Sequence, residues 1–133
     1  MDEAVFEGVI KEMCRAAGLG DWAGIASARH LQVNHRVVGL LHRSDDVRDD
    51  RLSILVELDA PVEGLAGLEA KLLRENVRSV EPLQGFFGLH PDTGKVVYSA
   101  RLESAPAASG PDIAAFVERQ VNDAERVLAR LSS

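Results

Sequence analysis

Residues 65–102 constrain the fold more than any other stretch of the chain, because they join a leucine-rich helix to a tight β-hairpin. The helix reads LAGLEAKLLRENV, and the hairpin that follows reads LQGFFGLHPDTGKVVYSARL. Its turn, Pro-Asp-Thr-Gly, has Pro at the second position of the turn and Gly where a positive φ is required. A helix leading into an antiparallel hairpin predicts a mixed α and β domain.

The preceding part of the chain predicts three more antiparallel strands. Residues 29–33 and 36–43 flank the pair Asn34-His35, and Asn tolerates the left-handed conformation of a two-residue turn. The charged loop SDDVRDD follows, and then RLSILVELD alternates between two faces. One face carries Leu52, Ile54, Val56 and Leu58, and the other carries Arg51, Ser53, Leu55 and Glu57.

Helical spacing of apolar residues predicts a first helix from Asp2 to Ala17 and a last helix from about Asp112 to Leu131. The predicted element order is therefore α-β-β-β-α-β-β-α, with the second helix from about Gly64 to Asn76. We expect an α+β fold in which helices pack against a twisted antiparallel sheet. A length of 133 residues suits one domain, spanning 1–133.

Composition narrows the classes of function. The net charge is −6 at a sequence pI of about 5.2, which argues against sequence-independent nucleic-acid binding. The single cysteine, Cys14, allows no intramolecular disulfide and is expected to be a buried or half-buried apolar residue. Neither a secretory leader nor a membrane span is recognisable, so we expect a cytoplasmic protein without a membrane partner.

We predict no catalytic, cofactor-binding or metal-binding residue. The acidic loop Asp45, Asp46, Asp49 and Asp50 lacks the spacing of a calcium loop and contains Arg48. The four histidines lie on strands and turns without the spacing of metal ligands. Neither Ser53 nor Ser99 lies in a nucleophile elbow, and Gly85 and Gly88 lie in a strand, outside any phosphate-binding loop.

The apolar surface is larger than one sheet should cover. On the second helix Leu65, Leu68 and Leu72 form one stripe, while Ala66, Ala70, Leu73 and Val77 form a second. A two-fold partner would cover the second stripe, although a helix sunk in its own core is the alternative. Adjacent apolar pairs, Phe86-Phe87, Val96-Val97 and Leu40-Leu41, should likewise leave one member of each pair exposed. A dimer mate or the last helix could instead cover these members.

The element order in a small acidic chain resembles the type III secretion chaperones, which bind effector proteins before export. The local match is KLLRENVRSVEPLQGFFGLHPDTGKVVYSARLE, a Leu-rich helix ending in Asn, then a Gly-containing strand, a turn and a strand that leads to the last helix. The segments HLQVNHRVVGLLH and RLSILVELD are similar to the family's first three strands.

This resemblance implies a homodimer of the bacterial cytoplasm that needs neither a cofactor nor ATP and holds an unfolded segment near an effector's N-terminus. The segment would add β-structure at sheet edges and place apolar side chains in grooves. The dimer contact is expected at Leu65, Leu68, Leu72, Leu73 and Phe86. The effector contact is expected at Val5, Phe6, Ile10, Leu31, Val33, Val38 and Leu40. The alternative is a small α+β ligand-binding domain or enzyme that uses the histidines.

Overall fold

The fold has the predicted order of elements with one additional helix. A computed structural model describes residues 1–58, 65–78 and 83–132. The helices are α1 (Glu3–Ala17), α2 (Trp22–Ala28), α3 (Leu65–Glu75) and α4 (Gly110–Ser132). The strands are β1 (His30–Val33), β2 (Arg36–Leu41), β3 (Leu52–Glu57), β4 (Phe86–Leu89) and β5 (Val96–Leu102). A short 3₁₀ turn covers Ala105–Ala107. The predicted helix start at Gly64 and strand end at Asp59 lie outside the described residues.

The five strands form one antiparallel sheet in the order β1-β2-β3-β5-β4, which contains both predicted hairpins, β1-β2 and β4-β5. Asn34 and His35 have φ values of 49° and 67°, so the first hairpin closes with the predicted two-residue turn. Gly94 closes the second hairpin with a φ of 69°. Both turns were predictable because the residues that adopt positive φ are adjacent in sequence to the strands they connect.

The two faces of the sheet differ in character. One face is buried beneath helices and contains the aligned row Leu31, Val38, Val56, Tyr98 and Phe87. The opposite face contains the row His30, Gly39, Leu55, Ser99 and Phe86. The predicted alternation of β3 is confirmed, since Leu52, Ile54, Val56 and Leu58 are all buried.

The expectation that one member of each adjacent apolar pair is exposed is confirmed for two pairs and wrong for the third. Phe87 is buried while Phe86 is exposed, and Leu40 is buried while Leu41 is exposed. Val96 and Val97 are both buried. Because β5 is an interior strand flanked by β3 and β4, Val97 has neighbouring strands on both sides.

Helices α1 and α4 build the core above the buried face. α4 contacts β3 and β5, and α1 contacts α4 and α2. Gly110, at the start of α4, allows the closest approach of these helices, since a Cβ there would lie 2.4 Å from the Glu12 carbonyl oxygen. Cys14 is fully buried, as predicted, and burial raises the pKa of its thiol.

The helix α2 was not predicted. It has only seven residues, too few for a helical apolar pattern to stand out in the sequence. Its local signal is Asp21, whose side chain accepts a 3.1 Å hydrogen bond from the Gly24 N–H at the helix start. The helix contacts α1 and β1 and so connects the helical layer to one edge of the sheet.

Candidate protein-binding surfaces

The two predicted apolar stripes of α3 have different environments. Leu68 and Leu72 of the first stripe are buried within the protomer. Leu73 and Val77 of the second stripe are 61% and 83% exposed. The first stripe therefore anchors α3 to its own sheet, and the second stripe is left uncovered by the described residues. The side chains of Leu65 and Ala66 lie outside the described part of the chain.

The strand β4, which α3 contacts, also carries exposed apolar side chains. Phe86 and Leu89 are 49% and 52% exposed and lie on opposite faces of this strand. We call Leu73, Val77, Phe86 and Leu89 the α3–β4 patch. Large apolar residues concentrated on two contacting elements are typical of a protein-binding surface, whereas single exposed apolar residues are common.

A buried carboxylate fixes α3 against α4. Glu75 accepts hydrogen bonds of 2.9 Å from the Arg78 side chain and 2.6 Å from the Arg130 side chain. Burial by itself would raise the pKa of Glu75, but the hydrogen bonds from Arg78 and Arg130 outweigh it and hold the pKa below its usual value. The α3–β4 patch is thus presented on a helix that is held at its C-terminal end by α4.

A shallow groove of about 270 Å³ runs between α1 and the segment that leads into α4. We call it the α1 groove. It is lined by Val5, Gly8, Val9, Glu12, Ala105, Pro106, Ala108 and Ile113. Small residues create it, because a Cβ on Gly8 would meet no atom within 4 Å. The side chains that line the groove are apolar except for Glu12, and they suit apolar side chains of a bound peptide.

Most of the predicted effector-contact residues belong to the core. Phe6, Ile10, Leu31, Val38 and Leu40 are buried, and Val33 is partly buried against the same core. The predicted residues of β1 and β2 lie on the sheet face that the helices cover. Only Val5, which is 40% exposed, lies at a groove. The five buried side chains offer no surface to another chain.

The strand β1 forms one edge of the sheet and is open to pairing. The Leu40 N–H donates a 2.8 Å hydrogen bond to the Arg29 carbonyl, which places Arg29 and Leu40 at a hydrogen-bonded position of the ladder, while the Arg29 N–H donates to the Ile25 carbonyl of α2. Because such pairs alternate along an antiparallel ladder, the backbone groups of His30 and Gln32 point away from β2. An extended peptide can add to an edge of this kind through main-chain hydrogen bonds.

The residues considered for metal or ligand chemistry do not converge. Among the described residues, no three His, Cys, Asp or Glu side chains are grouped as metal ligands would be. Asp49 of the acidic loop binds Arg51 through two side-chain hydrogen bonds of 3.0 and 2.8 Å. These bonds hold the pKa of the Asp49 carboxyl well below its usual value. This carboxylate is therefore occupied by an ion pair.

The described helices include none that combines the length and apolar character needed to cross a bilayer.

The fold and surfaces are those of a small α+β protein that binds other chains, and the sequence carries the pattern of a known chaperone family. Residues 10–128 match the Tir chaperone protein (CesT) family. The chain belongs to this family of chaperones. A comparison with curated proteins finds no match to this sequence.

Solved structures with this fold include three complexes. The ExoT–SpcS complex from Pseudomonas aeruginosa contains a chain that is 20% identical, with a TM-score of 0.62 and coverage of 92% of this chain and 96% of that one. A chain of the HopA1–SchA chaperone–effector complex is 11% identical, with a TM-score of 0.57 and coverage of 97% and 91%. A chain of the ExsC–ExsE complex is 18% identical, with a TM-score of 0.59 and coverage of 99% and 98%.

Two features of these surfaces were missed in the sequence. The small residues of the α1 groove come from parts of the chain about a hundred positions apart, and no local pattern joins Gly8 to Ala105. Asn76 follows α3 and bonds to the backbone of β4, eleven residues further along the chain. The Asn at the helix end was visible in the sequence, but its partner was not.

Proposed function

We propose that this protein is a homodimeric type III secretion chaperone of the bacterial cytoplasm. It binds an extended segment near the N-terminus of an effector protein and keeps that protein soluble and competent for export. It works by binding alone, without catalysis, a cofactor or ATP. Family membership supports this proposal, and so does the likeness to chains from complexes, one of which is described as a chaperone–effector complex.

The observation that carries the proposal is the division of α3 into a buried and an exposed apolar stripe. Leu72 is 2% exposed and Leu73 is 61% exposed, although they are adjacent on the helix. A two-fold axis beside α3 would bring the α3–β4 patches of two protomers together and remove this surface from water. Leu73 and Phe86 are thus the proposed dimer contacts, whereas Leu68 and Leu72 support the helix from inside.

The α1 groove and the β1 edge supply two complementary modes of binding for an extended chain. The outward backbone groups of His30 and Gln32 can pair with any sequence, so they provide affinity without selection. The α1 groove selects apolar side chains at chosen positions of the bound segment. We propose Val5 as the effector contact on α1 and place Val33 at the rim of the β1 edge.

Co-expression with the protein encoded beside this chain tests the proposal. We expect the two proteins to purify together, and limited proteolysis of the complex to leave a protected segment near the N-terminus of the partner. Purification of this chain without the partner, or protection of a folded domain in place of an extended segment, would contradict the proposal.

Variants of α1 sharpen this test. Gly8→Leu fills the α1 groove from a position where an added Cβ meets no atom within 4 Å. We expect it to weaken capture of the segment about tenfold. Ala4→Leu adds the same side chain at an exposed position of α1 that does not line the groove, and it should leave capture unchanged. Equal effects of the two variants would place the binding surface elsewhere.

A further inference from the structure

The side chain of Asn76 forms two hydrogen bonds with one residue of a sheet edge. Its Oδ1 accepts from the Phe87 N–H at 2.6 Å, and its Nδ2 donates to the Phe87 carbonyl at 2.9 Å. This carboxamide therefore makes the pair of bonds that a residue of a neighbouring strand would make. Only one orientation of the amide works, because the flipped form would place donor against donor and acceptor against acceptor.

The bonds occupy the outer edge of β4. The His90 N–H donates to the Lys95 carbonyl at 2.8 Å, so the hydrogen-bonded pairs with β5 alternate from there. Phe87 and Leu89 consequently direct their backbone groups away from β5, on the side where the sheet ends. Asn76 saturates both groups of Phe87, which leaves Leu89 alone on this edge of the strand.

The backbone N–H of the residue directly before β4 is also occupied. The Gly85 N–H donates a 2.9 Å hydrogen bond to the Tyr98 hydroxyl of β5. The opposite edge of the sheet differs, because β1 directs the backbone groups of both His30 and Gln32 outward. The two edges are therefore unequal, because β1 leaves the outward groups of two residues open and β4 leaves those of Leu89 alone.

We infer that Asn76 determines where another chain can pair with the sheet, by closing the β4 edge and confining strand addition to the β1 edge. This inference rests on the proposed function, in which an extended segment adds to the sheet. Asn76 acts through the Phe87 backbone and contacts no partner itself. A chaperone with two open edges would also pair edge to edge with its own copies.

Hydrogen exchange on the wild-type protein gives the first test. The Phe87 amide points away from β5, yet we expect it to exchange about tenfold more slowly than the Leu89 amide, which points the same way. The variant Asn76→Asp separates the two bonds, because it keeps the acceptor for the Phe87 N–H and loses the donor to the Phe87 carbonyl. Exchange of Phe87 as fast as that of Leu89 in the wild-type protein would overturn the inference.

Self-association of Asn76→Ala gives the second test, with the chain itself as the pairing probe. We expect sedimentation velocity to show concentration-dependent species larger than those of the wild-type protein. Asn122→Ala, the same substitution at an exposed position of α4, should sediment like the wild-type protein. A folded Asn76→Ala protein with wild-type sedimentation at every concentration would overturn the inference.

A second substitution separates edge closure from a merely structural role. The Leu89 N–H is not paired with β5, so Leu89→Pro removes an outward donor without breaking the sheet. Because Leu89 also belongs to the α3–β4 patch, Leu89→Pro alone is the reference for the double variant. Asn76→Ala combined with Leu89→Pro should sediment like Leu89→Pro alone, and larger concentration-dependent species in the double variant would overturn the inference. Neither result depends on effector capture, so failure of the proposed function would appear separately, as loss of the co-purified segment from the wild-type protein.

Discussion

The Phe6 ring stacks on the His42 imidazole, with ring centroids 4.2 Å apart and ring planes inclined by 14°. Arg29 Nη1 lies 3.2 Å from His42 Nδ1 and donates to it, so the neutral ring carries its proton on Nε2. That nitrogen is buried and lies 3.5 Å from a carboxylate oxygen of Glu3. The imidazole thus joins the start of α1 to the end of β2 in its uncharged form.

Acidification should destabilise the fold through His42. Burial is the largest influence and lowers the pKa of His42, while Glu3 and Asp2 raise it and Arg29 and the N-terminal ammonium lower it. The unfolded chain therefore binds the proton first, and stability falls as the pH drops through 6.5. One proton accounts for at most about 1.4 kcal/mol per pH unit.

Denaturant unfolding of His42→Gln at a series of pH values measures this contribution. The amide can still accept from Arg29 but does not titrate, so stability should depend less on pH than in the wild-type protein. His35→Asn, in the exposed hairpin turn, removes a histidine whose φ of 67° Asn tolerates, and it serves as the control. An unaltered pH dependence in His42→Gln would show that His42 is not the titrating group.

A methyl group at Gly110 should force α1 and α4 apart. Its Cβ would lie 2.4 Å from the backbone oxygen of Glu12, which cannot move without the whole helix. We expect Gly110→Ala to lower the free energy of unfolding by about 1–3 kcal/mol. Gly8→Ala should raise it by about 0.5–1 kcal/mol, because Gly8 lies in the interior of α1 with open space around it. Equal shifts of the melting temperature would contradict this account.

Loss of the Glu75 charge should loosen α3. Glu75→Gln removes the carboxylate that Arg78 and Arg130 both bind, and we expect it to destabilise the protein by about 1–3 kcal/mol. Because the pKa of Glu75 lies below its unfolded value of 4.5, this contribution is present at neutral pH and lost as the pH falls below that value. Glu118→Gln, at an exposed position of α4, is the matched control in chemical denaturation. Equal stability of Glu75→Gln and Glu118→Gln would show that the ion pairs of Glu75 do not stabilise the fold.

A charge in the α3–β4 patch should separate the protomers. Leu73 is exposed in the protomer, so Leu73→Asp should leave the fold intact and weaken the dimer by at least about 2 kcal/mol, measured by sedimentation equilibrium. Val47→Asp introduces the same charge in the loop between β2 and β3, where the Val47 side chain is 75% exposed, and this variant should remain dimeric. A folded Leu73→Asp protein with undiminished dimer affinity would move the interface elsewhere. Asp at Leu72 would instead unfold the protomer, because that side chain is buried.

Local patterns predicted the parts of this fold whose partners are close in sequence. The turn at Asn34-His35 and the alternation of β3 depend on neighbouring residues, and both are confirmed. The predicted effector contacts on the sheet lie on its covered face, because the alternation of β1 and β2 marks two faces without saying which one the helices cover. Phe6 and Ile10 were likewise on the correct stripe of α1, but that stripe packs on the core.

Contacts between distant residues could not be predicted in the same way. The bond between Asn76 and Phe87 depends on how α3 is oriented at the sheet edge, and the α1 groove depends on where the segment before α4 returns to α1. In α3 the sequence could separate two stripes, while only the packing shows which of them is covered within the protomer.

The mass of the complex under native conditions tests the central claim most directly. Native mass spectrometry of this chain, co-purified with the protein encoded beside it and trimmed by limited proteolysis, should give two copies of this chain and one partner segment. A complex with a single copy of this chain, or a dimer that retains no segment of an exported protein, would contradict the account.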